Sequence, residues 1–319
     1  MIDFIEESEG GGKHKITKRE KKIEIQLKNK LWNNKKNSKE YDPSPRFSSY
    51  YKSQLTCLQT EEEWSEFRRI LAVRLPISFR YSIDRFPISS TMLRKRMMSE
   101  FSCIRGKYVE INGKPLSSLT SPIVWSPNAY QLSSIDAHSL NSTPELALLS
   151  QLLIRESNLG HICKQELVSM LPSILLTLPS ALSVSLEKAG GGSIVKSEHR
   201  ILDVCASPGS KTDQLISLLY ESFHRENASH SAQPTAASID IPKGMIVAND
   251  ADTTRIQTIR DRYVNYNCPN LLITCARAED MHAQGVPHHS FNHILADVPC
   301  SGDGTFRKSP HVSIIFMCE

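Results

Sequence analysis

The sequence has no long hydrophobic run. Its longest apolar stretch, Leu171 to Val184, is interrupted by Pro172, Pro179 and several serines, whereas a helix that crosses a bilayer needs about 20 apolar residues in a row. No membrane span is expected, and no apolar segment of signal-peptide type stands near the first residue. The eight cysteines include no Cys-x-x-Cys pair and no Cys/His cluster at zinc spacing, so neither a metal nor a disulfide framework is expected. A G-x-G-x-x-G string is also missing, which argues against NAD as the cofactor. Strong net charge is absent too, at +4 for 319 residues. The positive charge is nevertheless gathered at one end, because Lys13 to Lys39 hold eleven Lys or Arg against two Glu. Such an arm, read as disordered over residues 1–40, suits contact with phosphates or an import receptor. A solvated tail is the plainer alternative.

What is present is organised around Ile201-Leu-Asp-Val-Cys-Ala-Ser-Pro-Gly-Ser-Lys211. An apolar, β-branched run leads into small residues and Pro208-Gly209, and from Thr212 the residues Leu215, Ile216, Leu218 and Leu219 follow at helical spacing. Strand, tight turn and helix in that order offer free N–H groups and the positive end of a dipole to an anionic group. Taken alone, the stretch also fits an ordinary βα turn. Gly244-Met-Ile-Val-Ala-Asn-Asp250 is a second apolar strand ending on an acid, where nucleotide-binding halves hold a ribose diol. A helical run from Asp252 to Tyr266 carries Ile256, Ile259 and Tyr263, and strands at Leu271 to Thr274 and Phe291 to Asp297 complete the series. Apolar strands spaced by amphipathic helices predict a parallel, doubly wound sheet covered on both faces. Ligands sit at the carboxyl ends of such strands, so Asp297 and Cys300 are expected to face the crevice of the first turn. An adenosyl cofactor other than NAD is expected there.

Three strings, Ile201 to Lys211, Ile246 to Arg255 and Asp297 to Lys308, together resemble the Sun-type family of RNA cytosine-C5 methyltransferases, most nearly its eukaryotic tRNA subgroup. In that subgroup the turn reads Cys-Ala-Ala-Pro-Gly-Ser-Lys, the second strand ends Ala-Asn-Asp-x-Asp, and the fourth leads into Asp-Val-Pro-Cys-Ser-Gly-Asp-Gly-Thr. This chain differs only at Ser207. The resemblance implies an α/β, Rossmann-like S-adenosylmethionine-dependent methyltransferase domain with an incomplete parallel sheet, preceded by a smaller α+β N-terminal domain. It implies S-adenosyl-L-methionine held by Cys205, Ala206, Ser207, Pro208, Gly209, Ser210, Lys211, Asp250 and Asp297. RNA, expected to be tRNA, is the implied substrate. A monomer is expected, in the nucleus (nucleolus or nucleoplasm), with the cytoplasm as a further alternative.

Cytosine C5 is too weak a nucleophile to take a methyl group from a sulfonium, so a thiolate must first add to C6, and a base must later remove the C5 proton so that the thiolate can leave. In the family two cysteines divide this work. Cys300 matches the Pro-Cys cysteine that assists release, Asp297 the acid that holds the cytosine edge, and Lys211 the lysine of the turn. The family's nucleophile lies in a Thr-Cys motif beyond the Pro-Cys, and no Thr-Cys follows Cys300 here. Cys318 lacks the preceding strand and Thr. The chain is therefore expected to be C-terminally truncated, with its own activity open and a non-catalytic RNA-binding remnant as the alternative. Close family members also have an Asp after the third strand that contacts adenine. Arg277 stands there in this chain, with Glu279 and Asp280 as candidates to replace it, so weak cofactor binding is expected.

Upstream, Thr60-Glu-Glu-Glu63 predicts a capping box for a helix carrying Trp64, Phe67, Ile70 and Leu71. Leu75 to Ile83 and Tyr108 to Gly113 read as strands. Ser49-Tyr-Tyr-Lys52 and the Leu-Pro-x-x-x-Arg string at Leu75 to Arg80 resemble the family's N-terminal domain, which contributes to RNA binding. Trp64, Phe67 and Phe79 are expected in its core. Trp125-Ser-Pro127 and Glu166 to Pro172 resemble family segments beside the methyltransferase domain, while Leu132 to Ser142 lacks the Arg and Lys found there in the family. Gly190 to Ser193 and Ser222 to Ser238 read as flexible insertions. The expected domains are the arm 1–40, an α+β N-terminal domain 41–120, a helical connecting segment 121–195 and the methyltransferase domain 196–319. Deleting residues 1–40 is expected to weaken RNA binding and flatten its salt dependence, because released counterions set that slope. Filter binding across a salt series checks this, and an unchanged affinity and slope would make the arm only a tail.

Overall fold

The computed structural model describes residues 45–100, 110–111, 114–115, 119–176, 195–228, 241–265, 268–282, 285–300, 302–305 and 307–308. The basic arm, Gly190 to Ser193, residues 229–238 of the expected insertion and Cys318 lie outside the described residues, while Ser222 to Ala228, expected to begin that insertion, instead continue the helix Ser210–Ala228, where Ser222 is buried and donates to Val195 O at 2.6 Å. Contacts divide the chain into two compact units, Met1–Leu75 with Ser301–Glu319, and Pro76–Cys300. Among the described residues no helix is long and apolar enough to cross a membrane.

In the first unit, helices α1 (Pro45–Gln54) and α2 (Glu61–Leu71) bury Phe47 and Trp64 against Tyr51, Leu58, Phe67 and Leu71. Thr60 caps α2 as the sequence predicts. Its hydroxyl accepts from the Glu63 N–H at 3.1 Å while the Glu63 carboxylate accepts from the Thr60 N–H at 3.0 Å, so two orphan donors of the first turn are satisfied at once.

The second unit holds two sheets. The first is antiparallel, in the order β4 (Thr120–Ile123), β5 (Ser126–Asp136), β1 (Pro76–Tyr81), β6 (Ile162–Lys164), and a separate two-stranded ladder joins β2 (Glu110–Ile111) to β3 (Lys114–Pro115). Helix α3 (Pro87–Glu100) adds Leu93 and Met97 to its core. Helix α4 (Ala137–Ser142) adds Leu140, and α5 (Ala147–Asn158) adds Leu149 and Leu153. The rings of Phe79, Tyr81 and Tyr130 meet at 5.3 to 6.4 Å between centroids. The segment 121–195, expected to be helical, thus contains the longest described strand. Its Ser, Asn and Gln mask an alternation in which Tyr130 and Leu132 share the buried face at the period of two that a strand imposes.

The second sheet is parallel, in the order β10 (His293–Leu295), β7 (Arg200–Asp203), β8 (Met245–Asp250), β9 (Leu271–Cys275), with Ile201 opposite both His293 and Ile246. Helices α7 (Ser210–Ala228) and α8 (Thr253–Tyr263) both pack on one face, against Ile201, Ile246 and Ala248. Among the described residues, helices cover one face and not both as expected. Two right-handed crossovers that step in the same direction, β7 to β8 to β9, must put both helices on the same side. The other face is covered by Ala276, Met281, Val286 and Phe291 and leaves Leu272 and Ile294 about half exposed.

A buried acid ties the first sheet to α7. Asp213, in the first turn of α7, accepts from Arg80 on β1 at 3.0 Å and from Arg85 at 2.5 Å, with all three side chains at most 5% exposed. Arg80 also donates to Gln165 at 2.7 Å, and Gln165 donates to Gln214 at 2.9 Å. Helix α6 (Leu167–Leu175) joins through Met170, whose carbonyl accepts from Gln214 at 3.0 Å. Burial alone would raise the Asp213 carboxyl, but Arg85 and Arg80 outweigh it and hold it below the usual range. The folded state therefore binds fewer protons at this site, so its contribution is full above the ordinary carboxylate range and fades as pH falls through the lowered value. Asp213→Ala, which strands two buried guanidinium groups, is expected to destabilise the chain by about 3–5 kcal/mol. Urea denaturation checks this, with Glu66→Ala, which opens an exposed pair to Arg69, expected to change little.

Candidate active site

Residues 204–209 link β7 to α7 as a turn of small side chains. Gly209 sits at φ +91°, and a Cβ there would lie 3.2 Å from Arg262 Cδ. The backbone sign favours glycine, and a side chain there would also press on Arg262. The carbonyls of the turn are engaged from behind. Arg255 Nη2 donates to Ser207 O at 3.1 Å, Arg262 Nε to Pro208 O at 2.8 Å, and the Asp213 N–H to Gly209 O at 3.0 Å. Tyr263 Oη and Arg80 Nη2 make longer contacts to Gly209 O and Ser210 O at 3.5 and 3.4 Å. With acceptors satisfied on that side, the first N–H groups of α7 and the positive end of its dipole are what the turn presents.

Asn249 fixes the opening from the sheet side. Its amide donates to Val204 O at 3.1 Å and Ala276 O at 2.9 Å, its oxygen accepts from Thr274 Oγ1 at 3.0 Å and Ala276 N–H at 3.1 Å, and its own carbonyl accepts from Ala206 N–H at 2.8 Å. One buried side chain thereby joins the carboxyl ends of β7, β8 and β9. Next to it Asp250 is 3% exposed. Its Oδ2 accepts from Ser207 N–H and its Oδ1 from Asp252 N–H, both at 3.2 Å, with Arg255 Nη2 at 3.4 Å. Each oxygen keeps acceptor capacity for a further donor.

Lys211 and Asp297 meet at 2.7 Å, with side chains 17% and 48% exposed. This ion pair brings the turn after β7 to the motif after β10, as the shared crevice requires. Cys205 is half-buried, and burial first, then the Asp250 charge, pushes its thiol up. It is a poor source of thiolate. Cys300 is exposed, and among the described residues no contact ties its thiol to the turn. Asp203, at the end of β7, is 1% exposed and accepts from Thr212 Oγ1 at 2.7 Å. Burial pushes its carboxyl up to about 6 against the pull of Thr212 and Lys211. Arg277 lies in an exposed 3₁₀ turn, where Glu279 accepts from its Nε at 2.7 Å and Asp280 approaches to 3.8 Å. Both acids expected to replace the family's adenine contact are thus turned toward their own neighbour.

Among the predicted residues, the structure joins Cys205 to Lys211 with Asp250 on one side and Asp297 on the other. The sequence reading missed Asn249, Arg255, Arg262 and the Arg80–Asp213 pair as supports. Asn249 carried a signal, a polar amide inside an otherwise apolar strand. Arg262 carried one as well, lying beside Tyr263 at the end of an amphipathic helix.

A parallel sheet whose first strand leads into a small-residue turn, and whose second ends on a buried acid, is the architecture of a Rossmann-like methyltransferase domain. Residues 232–315 match the family described as 16S rRNA methyltransferase RsmB/F. The chain is 31% identical over 285 residues to the multisite-specific tRNA:(cytosine-C(5))-methyltransferase trm4b of Schizosaccharomyces pombe, covering 83% of this chain and 37% of that protein. It is 32% identical over 285 residues to the tRNA (cytosine(34)-C(5))-methyltransferase of Drosophila melanogaster, covering 83% of this chain and 33% of that protein. The solved structure of PH0851 has the same fold, with a TM-score of 0.53 at 17% identity over 97% of this chain and 49% of that one. The chain is thus similar to the RsmB/F methyltransferases over residues 232–315 and to these tRNA methyltransferases over most of its own length, and it spans about a third of the length of these curated relatives.

Proposed function

We propose that the full-length protein is an S-adenosylmethionine-dependent methyltransferase that forms 5-methylcytosine in RNA, with tRNA as its substrate. The Lys211–Asp297 pair at 2.7 Å carries this reading, because it joins the cofactor-type turn to the Pro-Cys motif in one crevice. When bound, S-adenosyl-L-methionine supplies an electrophilic methyl group. The residues fit such a group. Gly209 supplies the positive φ with which the turn enters α7, Asp250 has lone pairs left for a ribose diol, and the N–H groups of Ser210 and Lys211 open α7 toward a carboxylate.

On the RNA side, Asp297 takes the cytosine edge, and Cys300 assists release of the enzyme once a thiolate from the family's Thr-Cys motif has added to C6. Relatives that modify tRNA support tRNA as the substrate, and the basic arm supports phosphate contact. In the full-length protein, Cys300→Ala is expected to leave enzyme trapped covalently on tRNA, seen as a slow-migrating band that nuclease removes. The unaltered protein should transfer labelled methyl groups to tRNA cytosine. Absence of both methyl transfer and the trapped band would contradict the proposal and favour a non-catalytic RNA-binding role.

A further inference from the structure

Asp297 is placed to take a ligand, yet Lys211 Nζ already holds its Oδ2 at 2.7 Å. A ligand that displaces the ammonium leaves it in a partly buried site, where it needs another anionic acceptor. One such acceptor stands close by. The Asp203 side chain is 1% exposed and its Oδ2 accepts from Thr212 Oγ1, while Oδ1 is the one buried carboxylate oxygen without a donor among the described residues. The groups that act on it are Thr212 and Lys211 from α7, Asp250 from the end of β8 and Asp297 from the stretch after β10. Lys211 is the chain neighbour of Thr212, whose hydroxyl donates to Asp203 at 2.7 Å, and the register that sets Leu295 opposite Asp203 brings Asp297, two residues on, to the same strand ends.

We propose that Asp203 is the second seat of Lys211, a positioning residue whose free oxygen receives the ammonium when a ligand occupies Asp297. The exchange keeps every charge paired. Asp297 passes from lysine to ligand, and the buried Asp203 oxygen gains the donor it lacks. This rests on the reading of Asp297 as a ligand-binding acid, but the seat itself is testable without any ligand.

The experiment follows the Asp203 carboxyl by ¹³C NMR titration of the purified chain. In Asp297→Asn, which removes the first partner of Lys211, the Asp203 carboxyl should bind a proton at least tenfold more weakly, about one pH unit, than in Asp297→Asn/Lys211→Met. Both positions are partly exposed, and Asp297→Ala serves the same comparison if the Asn variant fails to fold. Equal titrations in the single and double variants would overturn the proposal. The comparison uses no ligand, so a failure of the functional reading leaves it standing and a failure of the seat leaves that reading untouched.

Discussion

The N–H groups of Ser210 and Lys211 can face a ligand only if the turn before them is held in shape by the protein, and this constraint organises the structure around residues 204–211. The donors come from elements far apart in sequence. Arg255 and Arg262 reach Ser207 O and Pro208 O from the two ends of α8, and Arg80 approaches Ser210 O from β1. Each of these arginines is in turn positioned by other contacts. Arg262 Nη1 lies 3.3 Å from the buried Cys163 thiol, and Arg80 is held between Gln165 and Asp213. Guanidinium suits the task because its fixed fork serves several acceptors while keeping its charge.

The same arrangement separates charges by depth. The buried cations Arg80 and Arg85 neutralise Asp213 beneath the turn, so the acids at its mouth are left to define the crevice. Of these, Asp203 is the most deeply placed and Asp297 the most open. Burial without full pairing raises the Asp203 carboxyl, the behaviour expected where groups are arranged around a ligand rather than for stability. The Arg277–Glu279 pair is solvated on all sides, and surface pairs of that kind contribute little to the fold.

Much of this was legible in the sequence, for reasons that can be named. Ile201 to Asp203 and Met245 to Asp250 are short, apolar and β-branched, and Pro208-Gly209 admits few conformations, so strand, turn and helix followed directly. Thr60 and Glu63 declared a helix start by their spacing. β5 was hidden because half of its residues are Ser, Asn, Gln or Asp, and alternation in such a strand shows only once its buried face is known. The placement of α7 and α8 on one face depends on strand order, which periodicity does not report. Arg80, Asn249 and Arg262 escaped because their roles lie in contacts spanning tens of residues, where the chemistry of a single residue type gives no partner.

The protein itself holds the turn in its ligand-ready shape before any ligand arrives. Amide hydrogen exchange on the ligand-free chain tests it most directly. The N–H groups of Ala206, Gly209 and Asp213 donate at 2.8, 2.7 and 3.0 Å to Asn249 O, Ala206 O and Gly209 O, so they should be protected to the same degree as the amides of β8. Exchange at the rate of an unstructured loop, with protection appearing only when S-adenosylmethionine is added, would contradict the account and show that the ligand, not the supports behind the turn, gives it its shape.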